Sequence, residues 1–174
     1  MFYCIFTPDC IPQPSQSQQP EPNPCVPPFI TPGTHGCYYV TTTAVNFEGA
    51  KSLCNGQGGQ VAEIESAEKN SELLNYIHDD PALRPALTTM SEGGYWIGAT
   101  DQAVEGNWLW ATSGRTLTET SLNHFYSWHL MAFGRRCAVF WQNGNSDWDP
   151  LACNATRGVI CEIGENRSTH WYFS

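Results

Sequence analysis

Residues 37–77 carry first the pattern of a β-strand and then that of two helices. The strand is predicted at residues 37–41, which are rich in aromatic and β-branched side chains. A helix follows, because Asn46 is a suitable N-cap and the apolar residues after it recur at three- and four-residue steps, namely Phe47, Ala50, Leu53 and Cys54. The glycine-rich residues 56–59 come after this helix, so they predict its C-terminus and not a phosphate-binding loop.

A second helix is predicted to begin after its N-cap, Ser66, and to be closed by Pro81 and Pro85. The three- and four-residue spacing of its apolar positions indicates one buried face. That inward face consists of Leu73, Leu74 and Ile77.

The rest of the chain has the pattern of short strands separated by loops. The strands are predicted at residues 94–100, 107–111, 137–141 and 158–163. Residues 112–136 show little regular pattern, and a loop of this length inside a compact domain is usually functional. Residues 142–149 are interpreted as a polar turn. Because the helices precede the strands and do not alternate with them, the predicted fold class is α+β.

Composition divides the 174 residues into three parts. Nine of the twelve prolines lie in residues 1–32, which we interpret as an aromatic head followed by an extended Pro/Gln-rich linker. Residues 33–163 form the domain, and residues 164–174 form a C-terminal tail. In the head, Cys4 and Cys10 either close a local loop or pair between chains.

The charge balance excludes one class of partner. The formal net charge is −9 and the whole chain has eight Lys and Arg residues, whereas a nucleic-acid binder needs clustered basic side chains. No stretch approaches the roughly 18 apolar residues of a membrane span, so a soluble chain is expected.

Eight cysteines without a C-x-x-C pair favour disulfides over zinc binding. Asn154 and Asn166 begin glycosylation sequons, which agree with a secreted, extracellular glycoprotein. The first six residues lack the basic start and the long apolar region of a signal peptide, so we expect a mature chain or a fragment.

An ordered set of motifs between Cys37 and Ile163 resembles the C-type lectin-like domain. The set comprises Asn46-Phe47, Ala50, Cys54, residues 59–64, 96–98 and 106–110, Cys137, Trp148, Cys153 and residues 159–162. The resemblance implies an α+β fold with two helices, antiparallel sheets, a long loop region and disulfides. It also implies the pairs Cys54–Cys161 and Cys137–Cys153, with Cys25–Cys37 as the additional bridge of the long-form members.

The calcium-dependent, sugar-binding members that the chain resembles use Glu-Pro-Asn or Gln-Pro-Asp in the long loop and Trp-Asn-Asp in the next strand. Calcium takes about six to eight oxygen ligands. Residues 129–136 contain no carboxylate or side-chain amide, and Pro150 ends the second triplet, Trp148-Asp149-Pro150. Asp147 and Asp149 alone are too few for a tight shell. We therefore predict no metal or cofactor at this position, while calcium binding elsewhere stays open.

No catalytic signature is present, and cysteines that pair leave no thiol nucleophile, so an enzyme is not expected. His124 and His129 are favoured as surface or packing histidines over metal ligands. Apolar residues near the long loop favour a binding surface for a protein, lipid or apolar ligand face. The candidate ligand-binding residues are Trp128, His129, Leu130, Met131, Phe133, Arg135, Arg136, Asp147 and Asp149.

The leading hypothesis is a secreted, non-catalytic module that binds a glycan or protein ligand through the long-loop surface, without a calcium-bridged sugar contact. A structural or assembly subunit, forming a homo-oligomer or a larger extracellular complex through residues 1–32 and 164–174, is the alternative from another class. A calcium-dependent lectin with a divergent site is a further alternative, and the resemblance also permits ice or mineral binding.

Overall fold

The computed structural model describes residues 25–88, 93–118, 124–125, 133–143 and 146–163. Three helices and seven strands occur in these ranges. In chain order they are β1 (Cys37–Val45), α1 (Phe47–Gly56), β2 (Gln60–Val61), α2 (Ala67–Asp79), α3 (Arg84–Thr88), β3 (Tyr95–Thr100), β4 (Leu109–Trp110), β5 (Cys137–Asn143), β6 (Ser146–Leu151) and β7 (Arg157–Ile163). None of the helices in the described part of the chain has the length and apolarity that crossing a membrane requires.

Local capping signals set where the two longer helices begin. The side chain of Asn46 accepts a hydrogen bond from the Gly49 amide at the start of α1, and the side chain of Ser66 accepts one from the Lys69 amide at the start of α2. Helix α1 ends at Gly56, and Gly58 just beyond it has φ of 82°. Both predicted N-caps and the predicted C-terminus of α1 are confirmed.

One mixed sheet joins the two ends of the domain. Its strand order is β1-β7-β3-β5-β6, with β2 also paired to β7 and β4 to β3. Neighbouring strands are antiparallel except β3 and β7, which run parallel. In this order β6 is the last named strand, and residues 124–125 lie along it through a parallel bridge between Phe125 and Trp148.

The fully buried strand β3 lies in the middle of the sheet and separates two apolar clusters. Tyr95 and Ile97 belong to the larger cluster under α2, while Trp96 belongs to the smaller cluster under α1. This division follows from the two-residue period of a strand, since successive side chains point to opposite faces. Trp108 and Trp110 are both in the larger cluster.

Three disulfides close the fold, and they are the pairs that the resemblance implies: Cys25–Cys37, Cys54–Cys161 and Cys137–Cys153. The second spans 107 residues and joins α1 to β7, the third spans 16 residues, and the first spans 12. Cys4 and Cys10 lie outside the described residues.

Residues 25–32, grouped with the linker by composition, contact the domain. Cys25 and Phe29 are buried in the smaller cluster, and Ile30 bridges to Tyr38 of β1. Immediately after them the Glu72 carboxylate of α2 accepts hydrogen bonds from the backbone amides of Thr34 and His35 at 3.0 and 3.1 Å.

Four expectations from the sequence were wrong in detail. Pro85 does not close α2, which ends at Asp79. It lies instead in the first turn of the third helix, α3, where a missing amide hydrogen costs nothing. The strand predicted at residues 107–111 is reduced to β4, and the polar turn predicted at residues 142–149 contains most of β6. The sheet is mixed because β3 and β7 are parallel.

Candidate functional site

The candidate site lies where the chain enters β5 and runs along β6. We call the described residues 133–136 and 147–149 the loop edge. Register fixes their relation: Val139 of β5 pairs with Asp149 of β6, and Cys137 pairs with Leu151. The disulfide from Cys137 to Cys153 ties the same end of the hairpin covalently. Residues 147–149 therefore lie on the β5–β6 hairpin, and residues 133–136 lead directly into its first strand.

Asp149 is almost buried, with 12% of its side chain exposed, and its Oδ2 lies 3.8 Å from Nη1 of Arg135. The Arg135 side chain is 45% exposed, so the guanidinium covers the carboxylate from the solvent side. A carboxylate this buried needs a positive or hydrogen-bonding neighbour to offset its lost hydration. Arg135 and Asp149 are thus two predicted site residues that the structure brings together.

Arg136 faces the loop after β3. Its Nη2 donates to the Glu105 carboxylate at 2.7 Å, and its Nη1 donates to the backbone carbonyl of Asp101 at 3.2 Å. The backbone carbonyl of Arg136 in turn accepts from the Thr100 hydroxyl at 2.6 Å. These contacts join the start of β5 to the end of β3. Arg136 therefore acts as a link between two loops, and only 28% of its side chain is exposed.

Asp147 turns toward helix α2 and away from Arg135. Its Oδ2 accepts from Nδ2 of Asn70 at 2.6 Å and lies 3.3 Å from Nδ1 of His124. The hydrogen bond with His124 is the largest influence on the carboxyl; together with that from Asn70 it outweighs the effect of burial and lowers the pKa of Asp147 from its ordinary value. Asp147 is therefore held as a carboxylate near neutral pH.

These three side chains and Trp148 form a continuous set of contacts, which we call the Asn70 bracket: Asn70, His124, Asp147 and Trp148. The indole Nε1 of Trp148 donates to Oδ1 of Asn70 at 2.9 Å, and the imidazole of His124 lies on the indole with ring centroids 5.1 Å apart. The amides of Asp147 and Trp148 both donate to the backbone carbonyl of His124 at 3.1 Å. The bracket thus binds three chain segments together.

Phe133 is the most exposed large apolar side chain in the described residues, with 93% of it accessible. It precedes Gly134, whose φ of 79° turns the chain toward the two arginines. A phenylalanine in this position gains nothing for the stability of the isolated fold, because it buries almost no surface. Phe133 is therefore the exposed large apolar side chain among the described residues of the loop edge.

Four predicted ligand-binding residues, Trp128, His129, Leu130 and Met131, lie outside the described residues. Of the predicted glycosylation sites, Asn154 is exposed in the turn between β6 and β7, and Asn166 lies outside. No group of three or more His, Cys, Asp or Glu side chains within the described ranges is arranged to hold a metal ion.

The sequence reading missed Asn70 and Glu105. Asn70 is 2% exposed and lies on the α2 face that also buries Leu73 and Ile77, at the three- and four-residue spacing of an inward stripe. A polar residue at an inward position requires hydrogen-bond partners, so this spacing was a usable signal. For Glu105 nothing in the local pattern distinguishes it from a solvated acid.

Comparisons with known proteins identify the family to which this domain is similar. The family model described as Lectin C-type domain matches residues 43–163. A perlucin-like protein of Mytilus galloprovincialis is 27% identical over 130 residues, which are 72% of this chain and 74% of that protein. An alpha-N-acetylgalactosamine-specific lectin of Patiria pectinifera is 29% identical over 133 residues, 73% of each chain.

Among solved structures, the C-type lectin domain of murine dendritic cell inhibitory receptor 2, in complex with an N-glycan, has a TM-score of 0.64 at 15% identity. The match covers 81% of this chain and 99% of that domain. At this level of sequence identity, the similarity shows a shared fold and nothing more.

Proposed function

Because the chain belongs to the C-type lectin domain family, we propose that it is a non-catalytic recognition module that binds a glycan or protein ligand through its loop edge, without a calcium-bridged sugar contact. The fold supplies a disulfide-linked hairpin, and the loop edge carries one exposed aromatic ring, Phe133, and one partly exposed arginine, Arg135.

The observation that carries this proposal is the engagement of the two carboxylates beside Pro150. Asp149 lies under the Arg135 guanidinium, and Asp147 accepts from Asn70. A calcium ion at this place would have to displace a guanidinium and a hydrogen-bonded amide while collecting about six to eight oxygens. Since Pro150 has no side-chain oxygen, the segment offers too few ligands to offset that loss.

The chemistry of the loop edge also suggests how a ligand would bind. Phe133 provides a planar apolar face that can stack on the apolar face of a sugar ring or enter an apolar pocket of a protein. Arg135, half exposed, keeps donors available beside it. The relative from Patiria pectinifera bears the name of an alpha-N-acetylgalactosamine-specific lectin, so N-acetylated sugars are among the first ligands to test.

Calorimetric titration with calcium, followed by monosaccharide competition in calcium and in chelator, tests the proposal. We expect no calcium binding in the micromolar range and no effect of the chelator on ligand binding. Micromolar or tighter calcium binding, with sugar competition that depends on the ion, would overturn it and favour a calcium-dependent lectin.

The proposal includes a secreted, glycosylated chain. Asn154 and Thr156 are both exposed in the turn after Cys153, so the sequon is accessible to a glycan. Expression in a secreting eukaryotic host should give a chain whose mass falls on treatment with an N-glycosidase. Asn154→Gln should remove the part of the mass decrease that comes from a glycan on Asn154. Asn166→Gln is the matched control, because it removes only the other sequon. An unchanged mass in the secreted wild type contradicts this part.

A further inference from the structure

We infer that Asn70, on helix α2, is a positioning residue for the loop edge, acting through Trp148 and Asp147. The inference rests on the proposed function for its biological meaning, since it identifies what keeps the proposed binding surface in place. Its physical content is independent of any ligand.

The first support is the burial and bonding of Asn70. The residue is 2% exposed, and the two functional atoms of its amide are both used: Nδ2 donates to Asp147 and Oδ1 accepts from Trp148. Both partners are adjacent residues of β6, 77 and 78 residues away in sequence. A single amide therefore fixes the side chains on two consecutive positions of the last strand of the sheet.

The second support is the connection from these partners to the loop edge. Trp148 is fully buried and is followed directly by Asp149, which lies under the Arg135 guanidinium at 3.8 Å. A shift of Trp148 moves Asp149 along with the strand, and Arg135 must follow or lose its carboxylate. The side-chain hydrogen bonds of Asn70 go to Asp147 and Trp148, so its effect on residues 133–136 is transmitted through β6.

The third support is the way in which the bracket secures residues 124–125. His124 accepts two β6 amides through its backbone carbonyl, its ring stacks on Trp148, and Phe125 forms a parallel bridge with Trp148. Phe125 also packs on Trp148 and Trp108, with ring centroids 5.3 and 4.9 Å apart. Asn70 thus holds the strand against which this segment is anchored.

Two substitutions separate this role from simple packing. Asn70→Ala removes both hydrogen bonds. Asn70→Asp keeps an acceptor for the Trp148 indole but places a second carboxylate against Asp147. The titratable groups that face position 70 are Asp147 from β6 and His124 from residues 124–125. On α2 itself, Glu72 is engaged with Thr34 and His35.

The pH dependence of these variants follows from charge repulsion. In Asn70→Asp, two carboxylates in contact raise the pKa of one of them. As the pH falls, that carboxyl takes up a proton, and its O–H can replace the amide donor that the substitution removed. We expect Asn70→Ala to lower the Tm by roughly 5 °C at both about pH 7 and about pH 5. Asn70→Asp should lower it by a similar amount at about pH 7 and by clearly less at about pH 5.

The readout for positioning is the amide spectrum of the loop edge. In a ¹⁵N-labelled protein, Asn70→Ala should shift the backbone signals of residues 133–136 and the Nε–Hε signal of Arg135. Asn75→Ala and Asn75→Asp, at an exposed position of the same helix, are the matched controls and should leave both readouts unchanged.

The inference is overturned if Asn70→Ala loses stability while the signals of residues 133–136 stay in place, because the role would then be structural alone. It is also overturned if Asn70→Asp shows no recovery at lower pH relative to Asn70→Ala. Neither readout uses a ligand or calcium. The role of Asn70 can therefore be disproved without affecting the proposed function, and the calcium titration can disprove the proposed function without affecting the role of Asn70.

Discussion

The two sides of the central strand β3 hold their carboxylates in different ways. On the β1–β7 side, Glu162 is buried at 7% exposure, accepts from the Glu63 backbone amide and the Gln60 side-chain amide, and follows Cys161 of the 107-residue disulfide. On the β5–β6 side, Asp147 and Asp149 are held by side chains from distant segments. The Glu63 backbone donor is kept when neighbouring side chains are exchanged, whereas the Asn70, His124 and Arg135 partners of the two aspartates are not. The carboxylates on the β5–β6 side therefore depend more on the identity of distant side chains, while each side also carries a disulfide.

Removing a disulfide should cause the largest loss of stability, and the loss should be greater for the bridge on the β1–β7 side. Replacing Cys54 and Cys161 by Ala should cost about 4 to 5 kcal/mol of the free energy of unfolding, because a loop of 107 residues is released. Replacing Cys137 and Cys153 by Ala should cost about 3 kcal/mol, since that loop spans 16 residues. Urea unfolding of the oxidised proteins measures both, and equal losses would contradict the ranking.

The buried carboxyl of Glu162, on the β1–β7 side, should make stability depend on pH. Burial raises the pKa of Glu162 from 4.5 to about 7, and the hydrogen bond from the Glu63 amide opposes the rise only partly. A raised pKa means that the native state holds the proton more tightly, so stability is lost as the pH rises through this interval. At about 1.4 kcal/mol per pKa unit, the full loss is on the order of 3 kcal/mol.

Glu162→Gln should remove most of that decline, because the amide stays neutral. Urea unfolding at about pH 5 and about pH 8 measures the difference. Glu48→Gln, at an exposed position of α1, is the control and should keep the wild-type slope. A Glu162→Gln variant that declines as steeply as the wild type would contradict the assignment.

The sequence predicted those parts of the fold whose signals are local. The N-caps Asn46 and Ser66 and the apolar strand β3 depend on neighbouring residues, and each is confirmed. Strand β6 was missed because residues 146–151 include two aspartates and a proline, and the partners that stabilise them, such as Asn70, are distant in sequence. The long-range arrangement came from the family resemblance, which also implied the disulfide pairs.

The candidate site was predictable only in part for the same reason. Asp149 and Arg135 were named from the sequence and are in contact, but Asp147 points toward α2. Charge type alone does not tell whether an acid faces an arginine or an amide. That choice depends on which distant segment lies beside each position of β6, helix α2 beside Asp147 and residues 133–136 beside Asp149, and no local pattern encodes it.

Removing the contact between helix α2 and the segment before β1 should lower stability by a smaller amount. Burial raises the pKa of the Glu72 carboxyl, but hydrogen bonds from Thr34 and His35 outweigh it and lower the pKa to about 2. Glu72→Gln should cost about 1 kcal/mol near neutral pH. The wild type should lose this advantage as the pH falls from about 4.5 towards 2, since the carboxylate then becomes protonated.

Hydrogen exchange at the amides of Thr34 and His35 measures this contact directly. Glu72→Gln should speed exchange at both, while Glu68→Gln, on the same helix, should not. Unchanged exchange in Glu72→Gln would show that the carboxylate does not hold this segment.

The smallest effect on stability should come from the loop edge itself. Phe133 is 93% exposed, so Phe133→Ser should change the free energy of unfolding by no more than about 0.5 kcal/mol. Urea unfolding measures it. A loss above about 1 kcal/mol would mean that Phe133 is packed in solution, and the contrast between the two sides would fail.

The most direct test of calcium-free recognition is binding to a glycan and protein microarray, with calcium and with a chelator, for the wild type and Phe133→Ser. The account predicts that wild-type binding is the same in both conditions and is lost or strongly reduced in Phe133→Ser. Val104→Ser, at another exposed apolar position, is the control and should bind like the wild type. Binding that disappears in the chelator, or that survives Phe133→Ser unchanged, would contradict it.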